Sequence, residues 1–253
     1  MAATFSEIAQ LMADNRHLAP EILLVVFAFI ILGASFSTKS RKALGWLAVV
    51  PLLVSLFLVA GMMGFYDLGA IGLSAFAGPV DIALAGGALS INAYSLIFKF
   101  VFLSVALMAV LSSLSFVSEK DRHVGEYYAL ILISTVGMMV VASANNLVPL
   151  FVGIEIASIS TYALAAFRKR DGKSAEAGMK YFIIGATSSA ILLYGMSILY
   201  GISGTLDIPA LSRRIGESAW EPATIVGLSM LTAGLGFKMA AVPFHMWAPD
   251  VYE

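Results

Sequence analysis

The sequence predicts an all-α, polytopic membrane protein with about seven transmembrane helices. Hydrophobic residues make up 60% of the 253 residues, and charged residues only 12%. The mean hydropathy of +0.91 lies far above the usual value for a soluble domain. The apolar residues are also gathered into long segments, and about 20 such residues in a helix cross the hydrocarbon core of a bilayer.

Seven segments are long and apolar enough to cross a membrane. They cover 20–38, 43–63, 93–116, 127–144, 147–167, 178–201 and 223–247. Pro20 suits the first position of the first helix. Pro243 predicts that the seventh helix is broken, because proline removes a backbone donor from the helix ladder. The glycine-rich stretch between the second and third segments predicts a surface loop or a short hairpin.

The basic residues of the loops predict the orientation. Cytoplasmic loops of membrane proteins carry an excess of lysine and arginine. Nine basic residues lie in one set of loops and three in the other: Lys39, Arg41, Lys42, Lys120, Arg122, Arg168, Lys169, Arg170 and Lys173 against Arg16, Arg213 and Arg214. We therefore expect a multi-pass protein of the cell (plasma) membrane with its N-terminus outside. The N-terminal stretch has no basic region typical of a signal peptide, so the first segment is expected to be a true membrane helix.

Composition and motifs argue against several classes of function. The chain has no cysteine, which excludes disulfides, thiolate metal sites and cysteine nucleophiles. The sequence shows no glycine-rich phosphate loop, no histidine cluster with metal spacing and no carboxylate pair suited to hydrolysis. No basic cluster with interleaved aromatic residues suggests nucleic acid as a partner. We expect no cofactor and no metal in this chain.

Glu155 lies near the middle of the fifth predicted helix, in LVPLFVGIEIASISTYAL. A charged side chain at the centre of a bilayer costs about 2.5–3.5 kcal/mol on insertion scales, and such residues usually mark ion or proton paths. The alternative is a structural carboxylate, held neutral by burial or bound by a hydroxyl such as that of Ser158 or Thr161. The sequence favours a functional role.

Lys180 and Lys99 have structural explanations of their own. Lys180 lies near the cytoplasmic end of the sixth predicted helix, where its side chain can extend to water, and it follows Glu176 at the spacing of a helix ion pair. Lys99 comes early in the third predicted helix and can extend outward in the same way. We interpret Lys99 as structural, and the sequence alone leaves Lys180 open.

Lys238 lies in the stretch GLGFKMAAVPFHMWAPDVYE, where Gly234 and Gly236 precede it and Pro243 follows. A broken membrane helix exposes polar groups, and transporters use such breaks at ion sites. His245 could relay protons or form a hydrogen bond at the cytoplasmic interface, and by itself the latter is favoured. Trp247 is typical of an interfacial anchor.

Two stretches carry a resemblance to a known family. The first is IEIASISTYALAAFRKRDGKSAEAGMKYFIIGATSSAILLYGMSILYGISGTLDI, and the second is GFKMAAVPFHMWAPDVYE. Together they resemble the chain N (subunit 2) family of proton-pumping NADH:quinone oxidoreductase, the respiratory complex I. The resemblance is close from about residue 127 to the end and looser over the first three helices.

This resemblance implies an antiporter-like subunit of about fourteen helices with two inverted repeats, each containing a broken helix. It implies one transmembrane domain over 1–253, with a three-helix part at 20–126 and an incomplete first repeat at 127–253. In that family a glutamate of the fifth helix and lysines of the sixth and broken seventh helices carry protons. Glu155, Lys180 and Lys238 match those positions, and His245 matches a histidine of less certain role.

The resemblance also implies the partners. They are neighbouring antiporter-like and small membrane subunits, together with the lipid bilayer. NADH, FMN, iron–sulfur clusters and quinone would be bound by partner subunits, and redox chemistry there would drive proton movement here. Because the sequence ends after the seventh predicted helix, without the second repeat, we expect it to be a fragment of a longer subunit.

Three other functions fit parts of the sequence. One is the equivalent subunit of a deazaflavin- or ferredoxin-linked dehydrogenase, since the electron donor is bound outside this chain. Another is a subunit of a multisubunit cation/proton antiporter or of a membrane hydrogenase relative. The last is a scaffold that only holds neighbouring subunits together, but it leaves Glu155 and Lys238 unexplained.

The nine-to-three distribution of basic loop residues predicts the topology directly. A reporter fused after Arg170 should be found in the cytoplasm, and one fused near Ser212 should be found outside. The reverse pattern would contradict the predicted orientation.

Overall fold

The structure, a computed structural model, describes residues 15–38, 40–65, 81–116, 123–168, 170–217 and 221–252. The chain divides into two compact units, Met1–Ala144 and Asn145–Glu253. The predicted single domain, with parts 20–126 and 127–253, stays a prediction.

The described part of the first unit is a bundle of four long helices. They are α1 (Ala19–Ser37), α2 (Arg41–Met62), α3 (Ala93–Phe116) and α4 (Val124–Ser143). Helices α1 and α3 each pack against both α2 and α4, and α2 also packs against α4. Their facing sides form one hydrophobic core that includes Leu24, Leu52, Leu103 and Leu132. Pro20 lies in the first turn of α1, as predicted, where its missing N–H breaks no helical hydrogen bond.

A short hairpin precedes α3. The sequence predicted either a surface loop or a short hairpin between the second and third membrane segments. Strands β1 (Ile82–Leu84) and β2 (Leu89–Ile91) pair antiparallel. Leu89 also forms a bridge with Ala144, after the end of α4. The start of α3 therefore lies at the same end of the bundle as the end of α4. Residues 66–80 of the predicted loop lie outside the described residues.

The second unit contains three long helices and two short ones. They are α5 (Leu147–Ala165), α6 (Gly172–Ser203), α7 (Ile208–Glu217), α8 (Pro222–Lys238) and α9 (Trp247–Tyr252). Side chains cap the starts of two helices, since Asn146 accepts from Val148 N and Asp171 accepts from Lys173 N. Helix α6 packs against α5, α8 and α9. It is therefore the central element of this unit.

The all-α, polytopic prediction is confirmed. In the part of the chain that the structure describes, six helices, α1 to α6, are long and apolar enough to cross a membrane. The seventh predicted segment is interrupted: α8 has 17 residues and ends at Lys238, and α9 begins at Trp247. The number of membrane-crossing helices is thus about seven, and the break lies where the sequence placed it.

Lys99 does not extend outward, so that expectation is wrong. Its side chain is only 1% exposed, and its Nζ lies 2.6 Å from Glu21 Oε1 of α1. An acidic partner on another helix removes the need for the ammonium group to reach water.

Helices α6 and α8 approach closely at Gly195. A Cβ atom added there would lie 2.8 Å from Leu231 N and 2.9 Å from Gly227 O. Both contacts are with backbone atoms, which cannot move aside as the end of a side chain can. Gly195 therefore sets the distance between the two helices.

We expect Gly195→Ala to lower the stability of the full-length chain by about 1–3 kcal/mol, because overpacking forces backbone shifts. The measurement is thermal unfolding of the purified protein in detergent. Gly201→Ala is the matched control, since it lies on the same helix and an added Cβ would meet nothing within 4 Å. Equal melting temperatures for the two variants would contradict the close approach.

Candidate functional site

An ion pair joins two of the four residues predicted from the sequence. Lys238 Nζ lies 3.2 Å from Glu155 Oε1, and the side chains are 11% and 21% exposed. Glu155 is in α5 and Lys238 is the last residue of α8, and both helices pack against α6. At an effective dielectric constant near 20 the direct attraction amounts to about 5 kcal/mol, which desolvation of both groups opposes.

Two hydroxyl groups of α5 complete the surroundings of Lys238. Its Nζ donates to Ser158 Oγ at 3.2 Å and to Tyr162 OH at 3.0 Å. With Glu155 these residues are spaced i, i+3 and i+7, so they share one face of α5. Gly185 of α6 makes room for the tyrosine, because a Cβ atom there would overlap the Tyr162 hydroxyl. One helix face thus offers the ammonium group a carboxylate and two hydroxyl oxygens.

Ser189 of α6 binds the other member of the pair. Its Oγ donates to Glu155 Oε1 at 2.6 Å and also lies 2.9 Å from Gly185 O. A serine hydroxyl has one hydrogen and can also accept. When Glu155 is ionised, Ser189 can donate to it; when Glu155 is protonated, Ser189 can accept from it and donate to Gly185 O. The site therefore accommodates both protonation states of the carboxyl group.

The end of α8 has a defined geometry. Ala240 N donates to Phe237 O at 3.0 Å, and Ala241 N donates to Gly236 O at 2.8 Å. This pair of hydrogen bonds is the Schellman motif, which usually has glycine at the left-handed position. Here Ala240 occupies that position with φ 50, a conformation that costs a residue with a Cβ roughly 1–2 kcal/mol. Lys238 consequently lies at the last helical position before the chain turns.

The helix continues through the two glycines before Lys238. Gly234 and Gly236 are both buried within α8. A Cβ atom on Gly234 would lie 2.6 Å from Leu192 Cβ, and one on Gly236 would lie 3.1 Å from the Phe244 ring. They provide space for neighbouring groups, and the helix ends after them.

The sequence suggested that Trp247 is an interfacial anchor, but the structure buries its side chain. It is 7% exposed, its ring stacks on Tyr181 and Phe237, and its Nε1 donates to Phe237 O at 3.2 Å. Phe237 O lies in the last turn of α8, where carbonyls lack helical partners. Trp247 therefore holds the start of α9 against the end of α8.

Lys180 lies in a separate group of charges. Its Nζ is 2.9 Å from Glu176 Oε1, as the spacing predicted, and 3.1 Å from Asp250 Oδ2 of α9. The Lys180 side chain is 41% exposed. The structure thus confirms the ion pair with Glu176 and adds a partner from beyond the helix break, but it does not bring Lys180 into contact with the Glu155–Lys238 pair.

His245 lies in the turn between α8 and α9. The structure gives it no hydrogen bond or ion pair with Glu155, Lys180 or Lys238 in the ranges described. Its buried Nδ1 has no hydrogen-bond partner among those residues either. Its backbone carbonyl accepts from Ala248 N at 3.1 Å, which supports the first turn of α9.

The sequence did not reveal every member of the site. In the structural alternative, Ser158 or Thr161 would bind Glu155, but Ser158 Oγ accepts from Lys238 and Thr161 Oγ1 donates to Ser158 O. The sequence suggested neither Ser189 nor Tyr162 as a member of the site, because single hydroxyls in an apolar helix form no pattern. Among the described residues there is no group of three histidine or acidic side chains that could hold a metal ion. The assembled groups can hold and exchange a proton.

The second unit matches a known family. Residues 144–253 match the model described as NADH:quinone oxidoreductase/Mrp antiporter, transmembrane. Glu155, Ser189 and Lys238 all lie within the matched residues.

Curated relatives match most of the chain. Subunit N of the F(420)H(2) dehydrogenase of Methanosarcina mazei is 43% identical over 244 residues, which is 96% of this chain and 48% of that protein. Subunit N of the NADH-quinone oxidoreductase of Heliobacterium modesticaldum is 48% identical over 160 residues, 63% of this chain and 33% of that protein. The chain spans about half the length, or less, of these relatives.

Solved structures show the same fold. A chain of respiratory complex I from Thermus thermophilus, solved with bound aureothin, is 29% identical with a TM-score of 0.71. The match covers 92% of this chain and 47% of that chain. The broken helix, the family match and this shared fold agree. Residues 144–253 therefore belong to the NADH:quinone oxidoreductase/Mrp antiporter transmembrane family, and the chain has the fold of the antiporter-like membrane subunits.

Proposed function

We propose that this chain translocates protons as part of a membrane subunit of a complex I type NADH:quinone oxidoreductase. The observation that supports this most directly is the Glu155–Lys238 ion pair at the end of a broken helix. A buried pair alone is weak evidence for a stabilising role, since apolar residues of similar size often do as well. Paired ionisable residues inside membrane helices are typical of proton paths.

The chemistry of the site is protonation and deprotonation. Lys238 holds a proton while Glu155 lies beside it, and it releases the proton when that attraction is weakened. Ser189 adjusts its hydrogen bond to the charge of Glu155, as described above. In this proposal, redox chemistry in partner subunits changes the electric field along the buried charges. No redox step takes place in this chain.

Lys180 and His245 have secondary roles in this proposal. Lys180 exchanges protons between the Glu155–Lys238 pair and the aqueous side that its half-exposed side chain reaches. Asp250 and Glu176 balance its charge while it is protonated. His245, with an unpartnered ring nitrogen close to the break, is the least supported member of the path.

In this proposal the remaining elements of the assembly are those of the complex I family. NADH, FMN, iron–sulfur clusters and quinone are bound by partner subunits, and neighbouring antiporter-like and small membrane subunits flank this one. The protein lies in the plasma membrane with its N-terminus outside. This orientation is supported by the excess of basic residues in one set of loops.

A second candidate function differs in the electron donor. The match to an F(420)H(2) dehydrogenase subunit N extends over 96% of this chain, which favours a deazaflavin-linked complex as the alternative. If membranes that contain the complex oxidise F(420)H(2) but not NADH, this alternative is supported. The proton-translocating role of Glu155 and Lys238 is the same in both.

We expect Lys238→Ala and Glu155→Ala, each made in the full-length subunit, to lower sharply the number of protons translocated per electron. The first removes the proton carrier, and the second removes the charge that controls it. Glu155→Asp should retain part of the function, since it keeps a carboxylate with shorter reach. The measurement is proton uptake by membrane vesicles during substrate oxidation.

Native gels must show that these variants assemble, because removal of one member of a buried pair can also destabilise a protein by about 3–5 kcal/mol. Lys173→Ala is the matched control, as Lys173 is an exposed lysine of the same unit. Normal proton-to-electron ratios in whatever complex assembles would favour the scaffold function.

For Lys180 the informative change is Lys180→Arg. Arginine keeps the charge and can retain the ion pairs with Glu176 and Asp250, but its guanidinium group cannot release a proton in a protein. We expect pumping to fall in the same vesicle assay, with Lys173→Arg unaffected. Normal pumping by Lys180→Arg would show that Lys180 only joins α6 to α9.

A further inference from the structure

The first unit contains a buried group of charges that the proposed function does not use. Lys99 Nζ of α3 lies 2.6 Å from Glu21 Oε1 of α1, and the side chains are 1% and 7% exposed. His17, one turn before Glu21, is 4% exposed. All three precede the residues that match the family model. We refer to Glu21, Lys99 and His17 as the N-terminal charge cluster.

The lysine reaches its partner across the bundle. Helices α1 and α3 each pack mainly against α2 and α4, so they face each other diagonally. Lys99 therefore extends through the middle of the four helices to meet Glu21. Leu96 and Leu103, which share its helix face, are fully buried in the hydrophobic core. A charge in this position is surrounded mainly by apolar groups.

The cluster has unused hydrogen-bonding capacity. Within the described ranges, Lys99 Nζ, both carboxylate oxygens of Glu21 and Nε2 of His17 are buried without an aligned hydrogen bond. A structural ion pair in an apolar interior usually has its remaining donors and acceptors satisfied by other groups. Here the short contact between Lys99 and Glu21 is the main compensation. The unpaired acceptor atoms of Glu21 and His17 are therefore available to bind a proton.

The cluster lies near one end of the four-helix bundle. Glu21 is in the first turn of α1 and Lys99 is in the second turn of α3, and both helix starts lie at the same end of the bundle. His17 and the half-buried Arg16 continue the group of charges outward from Glu21.

The other two helices add no charge near this end. Helix α2 contributes Ser55, whose hydroxyl donates to Pro20 O at 3.3 Å. The ionisable residues of α2 and α4 with described side chains are in the first turns of those helices, towards the opposite end of the bundle: Lys42, Glu126, Tyr127 and Tyr128. Among the described residues at the end where α1 begins, Glu21 and His17 are thus the buried groups that can accept a proton, whereas Asp81 before β1 and Tyr94 of α3 are exposed.

We propose that the N-terminal charge cluster is a further proton-exchange site, distinct from the Glu155–Lys238 pair. His17 exchanges protons with the side of the membrane at which α1 begins. Transfer from the His17 imidazolium to the Glu21 carboxylate breaks one N–H bond and forms one O–H bond. Lys99 then remains the charged member, and its attraction returns Glu21 to the ionised form when the proton leaves by the same route.

The test uses the complex with the full-length subunit. Infrared difference spectra recorded during turnover should show a carboxyl band that is absent in Glu21→Gln and retained in Glu126→Gln, where an exposed carboxylate is removed from the same unit. His17→Gln should slow the appearance of this band. The protons translocated per electron should fall in Glu21→Gln and stay unchanged in Glu126→Gln.

Glu21→Gln leaves Lys99 buried and unpaired, which by itself destabilises a protein. The double variant Glu21→Gln/Lys99→Met, which removes both charges, is therefore measured beside it. The proposal expects this double variant to assemble and still to show a lowered ratio. A normal ratio in the double variant, or a wild-type spectrum without the band, would overturn the proposal in favour of a structural ion pair. The band is read independently of Lys238, so failure of the proposed function there would leave this result in place.

Discussion

A lysine within apolar helices needs a compensating charge, and the organisation of the second unit depends on this constraint. Lys238 at the end of α8 meets Glu155 on α5, and Ser189 of α6 binds the same carboxylate. Three helices thus contribute to one ion pair. Because α6 packs against both of the others, its small residues determine how near the charges can come. Packing and electrostatics are therefore fixed by the same few contacts.

The helix break determines what this ion pair can do. A lysine inside a continuous helix would have a fixed position, whereas Lys238 lies at the last helical residue before a turn. Trp247 and the Schellman hydrogen bonds hold that turn in one arrangement. Ala240 adopts a left-handed conformation that favours glycine, so this arrangement is maintained at some cost in free energy. The structure thus places Lys238, the proposed proton carrier, at a defined helix end.

The sequence predicted the helices and the central pair well, for physical reasons. Hydropathy identifies membrane helices because lipid requires about 20 apolar residues in succession. Glu155 and Lys238 stood out because charges are rare in such segments. The sequence could not show Ser189, Tyr162 or Asp250 as partners, since these contacts join separate helices and hydroxyl or surface acidic residues carry no periodic signal. Their positions depend on how the helices pack.

Two errors have the same origin. The expectation that Lys99 extends to water considered only its distance from the helix end, while its partner Glu21 is on another helix. Trp247 was placed at an interface by its residue type, yet it packs against Tyr181 and Phe237. Local rules describe how a side chain relates to the membrane. They do not include partners that the fold brings from distant parts of the chain.

The most direct test of the central claim is a double-mutant cycle for the pair, read as protons translocated per electron. It compares Glu155→Gln, Lys238→Met and the double variant in vesicles that contain the assembled complex. If the two residues act as one unit, the double variant should lose no more function than either single variant. Independent losses that add, or normal pumping restored in the double variant, would contradict the account.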